Sequence, residues 1–147
     1  MIHWESWAWG LSLIALTMAV HGTGLVLVAL LLERLRDRLT SRRVSITIVA
    51  LVCAVGLQLA VLHVFEAGLW AAAYWWLEAI KSPGDAILYS IDSISTRGGS
   101  GLMLAPYWQV MGALEAVDGM LLFGISTAFI FAIAQDYWSI IVARSRP

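Results

Sequence analysis

Three long apolar runs decide what this chain can fold into. Residues 9–32, 44–76 and 107–135 are built mainly from Leu, Val, Ala, Ile, Phe and Trp, and a helix needs roughly 20 such residues to cross the hydrocarbon of a bilayer. With 61% of its 147 side chains apolar and 13% charged, the chain has too little polar surface to cover a water-soluble globule of this size. The mean hydropathy of +0.82 points the same way. The expected class is an all-α membrane protein with three transmembrane helices. The N-terminal "MIHWESWAWG" carries an acid and no Lys or Arg, the wrong flank for a secretory signal peptide, so the first run is expected to stay in the mature protein.

Charge fixes an orientation. Residues 33–43 hold five arginines (Arg34, Arg36, Arg38, Arg42, Arg43), and Arg144 and Arg146 follow the third run, so seven of the nine Lys and Arg residues fall on one side. The positive-inside rule puts that side in the cytoplasm, with the N-terminus and residues 81–106 outside and the C-terminus inside. This clustering, with a net charge of −1, excludes a broadly basic nucleic-acid binder. The single cysteine, Cys53, lies within an apolar run and supports neither a disulfide framework nor a C-x-x-C site. It is expected to be a small buried side chain.

The run 44–76 is too long for one crossing, even tilted. Its outer end turns rich in Trp and Tyr (Trp70, Tyr74, Trp75, Trp76), as at a membrane interface. Next comes "SPGDAILYSIDSIS", with Pro83 and Asp85 at a helix start and Ile87, Leu88, Ile91 and Ile94 at helical spacing. That predicts about three turns, half of what a span needs. "TRGGSG" then ends the helix with three glycines. A short helix followed by non-helical backbone is tolerable in a membrane only where protein buries it or it lines a wet cavity, which is the physics of a re-entrant loop.

The order of span, short pore helix, glycine-rich strand and span resembles the tetrameric potassium-channel family, in particular its small bacterial pore-loop members, with one extra N-terminal helix. The resemblance covers roughly residues 51–135 and is carried by "LHVFEAGLWAAAYWW", "DAILYSIDSIST" and "YWQVMGALEAVDGMLLFGISTAFIFAIAQ". It implies a homotetramer and a passive ion channel of the bacterial inner membrane. The pore domain would be 44–136, with outer helix 44–76, pore helix 84–95, filter-like loop 96–101 and inner helix 107–136. Residues 1–43 would add the extra helix and the arginine loop, and 137–147 a short cytoplasmic tail. The loop residues Thr96, Arg97, Gly98, Gly99, Ser100 and Gly101 fall on the family's Thr-x-Gly-Tyr-Gly-Asp strand, whose carbonyl oxygens replace the hydration shell of potassium. A register shifted by one residue matches Gly99, Ser100 and Gly101 to Gly-Tyr-Gly instead, and both registers are open. In either, the bracing tyrosine is absent, which implies weak cation selectivity. The implied partners are monovalent ions (potassium or sodium, with an anion still open), membrane lipids, further copies of the chain and a related channel subunit.

Individual residues follow from this frame. Asp92 and Glu115 lie behind the filter; Arg97 either forms an anion-attracting or cation-blocking ring around the path or is bridged to Asp92, with Glu115 joining, in place of the missing filter aspartate. Asp118 is either a cation-concentrating carboxylate in a cavity or an interhelical hydrogen-bond acceptor. Gly119 and Gly124 either hinge the inner helix or permit close helix approach, and Gly124 with Ala128 makes a small-xxx-small pair. His21 and Gln58 are expected to hydrogen-bond near mid-membrane, with a proton relay as the other reading. His63 and Glu66, three apart, share a helix face, yet two ligands fall short of the three or four that zinc takes. No metal and no cofactor are expected, His3 carries no readable signal, and no nucleophile–base pair marks an enzyme. Two rivals to a channel remain. One is a non-conducting regulatory subunit of the same fold; the other is a small membrane enzyme using Glu115, Asp118 or His63.

Overall fold

A computed structural model describes residues 4–39 and 44–145. All regular structure among these residues is helical: α1 (Trp4–Leu39), α2 (Val44–Trp76), α3 (Pro83–Ile94), a 3-10 turn (Pro106–Trp108) and α4 (Gln109–Ser145). Arg42, Arg43, Arg146 and His3 lie outside the described residues. Three segments are long and apolar enough to cross a membrane: Trp4–Leu35, Ile48–Trp76 and Pro106–Asp136. Their outward faces carry Leu27, Leu31, Leu57, Phe65 and Phe131, which suits a lipid solvent. Cys53 is on such a face and is exposed, so the expectation of a buried cysteine is corrected.

The helices outrun the apolar stretches. α1 continues through Leu39 and α4 through Ser145, so the segment from 137, expected as a tail, is helical to 145. Apolarity ends at the bilayer surface, whereas Arg, Glu and Leu continue a helix in water as readily as in lipid.

α3 begins where the sequence places it. The Ser82 hydroxyl accepts from the Asp85 N–H at 3.4 Å, and Pro83 occupies the first turn, where its missing N–H costs nothing. The helix has 12 residues, about 18 Å at 1.5 Å per residue. Its far end lies deep against α4: the Ile94 carbonyl occupies the space that a Cβ on Gly119 would need. Gly119 is about 15 Å along α4 from the first residue of that helix. The chain then returns, and the Ala105 N–H donates to the Ala79 carbonyl at 3.2 Å, closing the two ends of the excursion side by side. Gly119 is therefore a close-approach glycine between α4 and α3. A Cβ at Gly124 would meet nothing within 4 Å.

Two apolar clusters hold the bundle. One centres on Leu13, Trp70, Tyr74, Ile94, Met111 and Leu122. The other joins Leu25, Leu51, Val55, Leu59 and Ile133. A column of buried polar side chains runs through the bundle beside them.

Candidate functional site

The loop after α3 is tied down from behind. Thr96, Gly98 and Gly101 have positive φ values of 56°, 60° and 70°; glycine accepts these freely, whereas the β-branched Thr96 is strained there. Asp92, on the last turn of α3, organises the turn with both carboxylate oxygens. Arg97 Nε donates to Oδ1 at 2.5 Å and the Ser100 N–H donates to Oδ2 at 2.8 Å, while the Asp92 carbonyl accepts from the Arg97 N–H at 3.0 Å. The Asp92–Arg97 bridge thus forms, with Asp92 buried and Arg97 65% exposed. Residues 95–99 leave an exposed surface of small and polar groups.

The Ser100 N–H, and after it Arg97, hold the Asp92 carboxyl below its usual range. A lowered value in the folded state means the tether is at full strength above the ordinary carboxylate range and weakens only as pH falls below it. Asp92→Ala is expected to speed hydrogen exchange at the Ser100 amide at neutral pH. An unchanged rate in the variant would remove the tether from the account.

Glu115 pins three helices together. Its Oε2 accepts from the Tyr74 hydroxyl of α2 at 2.7 Å, and its Oε1 accepts from the Ser90 hydroxyl of α3. Ser90 also reaches the Ala67 carbonyl at 2.7 Å. One helical turn further in, Asp118 Oδ2 accepts from the Thr17 hydroxyl of α1 at 2.7 Å and from the Trp70 indole N–H at 2.9 Å. Asp118 is fully buried between α1, α2 and α4, so within this chain it takes the interhelical hydrogen-bonding role of the two that were open. Trp70 is buried as well, unlike Trp75 and Trp76, which are exposed. The reading of all three as interface anchors fails for Trp70 because it lies one turn from Glu66, on the inward stripe of α2.

The column ends at a group that sequence order did not assemble. His21 Nδ1 lies 2.8 Å from Glu66 Oε1, His63 Nδ1 lies 3.2 Å from Glu66 Oε2, and the Nε2 atoms of both rings reach Ser126 Oγ at 3.0 and 3.1 Å. The expected His21–Gln58 bond does not form, since Gln58 is exposed on α2, about 120° round the helix from the stripe of His63, Glu66, Trp70 and Tyr74. That stripe was the available signal: polar and aromatic residues recurring at three and four residues, matched by Thr17 and His21 on α1 and by Glu115, Asp118 and Ser126 on α4. No protein-family model, curated protein or solved structure matches this chain.

Proposed function

We propose that this chain, with three further copies of itself, forms a passive ion pathway across a membrane, with residues 96–101 at its outer mouth. The observation that carries the reading is the excursion of residues 83–105. A helix too short to span packs against α2 and α4, and a non-helical, glycine-containing segment brings the chain back beside Ala79. Backbone of that kind within a bilayer calls for protein cover or water, and the exposed side of 95–99 is free to line a wet path between copies.

Selectivity follows from what tethers the loop. Asp92 takes up the charge of Arg97 and the Ser100 N–H, so the mouth carries little net positive charge and does not strongly repel cations. Residues 96–101 lack an aromatic brace to fix the width of the mouth, which favours weak discrimination between potassium and sodium. The arginines of 33–43 orient the subunit with that segment in the cytoplasm and the loop outside. In this reading, lipid contacts the outward Leu and Phe side chains, and a related subunit with a braced filter is an alternative assembly partner.

A second reading keeps the fold and removes conduction, and the exposed side of Arg97 favours it, since four such side chains around one axis would obstruct cations. Purified protein in liposomes separates the two. Loaded with a potassium gradient, vesicles containing the wild type are expected to dissipate it well above empty-vesicle leak. Flux at the empty-vesicle level across pH and voltage would leave only the non-conducting subunit.

A further inference from the structure

The ion pathway makes no use of the three ligand-type side chains at the inner end of the polar column. His21, His63 and Glu66 come from α1 and α2, all are buried, and one ligand atom from each lies within 4.8 Å of the others. Two of the atoms are close without being bonded. His63 Nδ1 and Glu66 Oε2 stand 3.2 Å apart, yet neither has a hydrogen-bond partner among the described residues. Their separation suits a hydrogen bond and their alignment does not. Two lone-pair atoms so placed, near but not bonded to each other, can both ligate an ion at a common third point.

The spacing fits a metal ion at that point. Zinc holds nitrogen and oxygen ligands at about 2.0–2.1 Å, so neighbouring ligand atoms in a tetrahedral shell stand about 3.3 Å apart. The two nitrogen-to-oxygen separations here, 2.8 Å to Glu66 Oε1 and 3.2 Å to Glu66 Oε2, are of the order such a shell requires. Two imidazoles and one carboxylate select a transition metal over calcium or magnesium, which take mostly oxygen.

The opposite edges of the rings agree. Both Nε2 atoms meet one serine oxygen, Ser126 Oγ. A hydroxyl has two lone pairs and one hydrogen, so it can accept from both Nε2–H groups, or accept from one ring and donate to the other. The first arrangement turns both Nδ1 lone pairs toward Glu66, as metal binding requires; with no ion between them, the 2.8 Å His21 Nδ1–Glu66 Oε1 contact is a hydrogen bond. Phe123 stacks on the His63 ring at a centroid distance of 4.3 Å, and Leu25, Leu51, Val55, Leu59 and Ile133 form a buried apolar cluster on the same three helices. A divalent ion would also offset the charge of Glu66 in a dry setting, where an unpaired carboxylate is costly.

We propose that His21, His63 and Glu66 form a resident site for a divalent transition-metal cation of the zinc class, with Ser126 positioning both imidazoles. The proposal is independent of whether the 96–101 loop conducts.

The test uses the full chain, free of any affinity tag, stripped with a chelator and titrated in detergent with cobalt(II) and then zinc(II). Expected are one equivalent of cobalt(II) per chain with the visible absorption of a tetrahedral ion, and its displacement by zinc(II). Glu66→Gln and His63→Ala should lose the signal, and Ser126→Ala should weaken binding about 10- to 100-fold. Helicity and a single elution peak confirm that each variant folds. The rival is a triad that holds only a proton: wild-type protein taking up no stoichiometric cobalt(II), or no more than folded Glu66→Gln, would overturn the proposal. Should the variants fail to fold, the wild-type stoichiometry and spectrum decide it alone.

Discussion

Replacing Glu115 with alanine is expected to destabilise the detergent-solubilised protein by about 2–5 kcal/mol, the largest loss among single polar substitutions in the column. Glu115 is fully buried and accepts from Tyr74 on α2 and Ser90 on α3 while itself belonging to α4. Its removal opens a cavity and strands the Tyr74 hydroxyl, which has no water to turn to. Ser90 is less affected, because the Ala67 carbonyl remains as an acceptor. Glu115→Gln is expected to cost only about 1 kcal/mol, since the amide keeps one acceptor and the Tyr74 hydroxyl can accept from the amide NH2. Thermal unfolding followed by loss of helicity separates the two variants. Equal midpoints for Glu115→Ala and wild type would mean that α3 is not held by this residue.

Gly119→Ala is the second large effect, expected at about 1–3 kcal/mol or more, with α3 displaced outward. The atom that the new Cβ meets is the backbone carbonyl of Ile94, with the Ile94 Cα close behind, and backbone cannot rotate away as a flexible side-chain end can. Gly124→Ala, where a Cβ meets nothing within 4 Å, supplies the contrast and should cost little within one chain. If the two variants melt alike, then α3 does not approach α4 as closely as the fold requires. The comparison also decides between the two roles expected for Gly119: a hinge would tolerate alanine structurally and lose only motion, whereas a contact glycine loses stability.

How far the sequence reveals this architecture depends on how local each signal is. The three spans follow from run length, and α3 follows from Ser82, Pro83 and Asp85 with the spacing of Ile87, Ile91 and Ile94, all within one short segment. The Asp92–Arg97 bridge is equally local, five residues apart at the end of one helix. The polar column is of another kind. Thr17 meets Asp118 across 101 residues, and His21 meets Glu66 across 45, so each partner looks solitary until the helices are packed. Counting ligand-type side chains along α2 alone yields two, His63 and Glu66, because the third, His21, comes from α1. Trp70 misleads for the same reason: composition assigns a tryptophan near a span's end to the interface, and only the buried carboxylate of Asp118 on another helix draws it inward.

The reversal potential of current through the purified protein in a planar bilayer tests the central claim most directly. Under a potassium chloride gradient, the account predicts a current that reverses near the cation equilibrium potential. Replacing potassium with sodium on one side should shift that reversal only slightly, as expected for a loop held by Asp92 and without an aromatic brace. Reversal at the chloride potential, or no current above that of bare lipid, would contradict an outer mouth in which Asp92 neutralises Arg97.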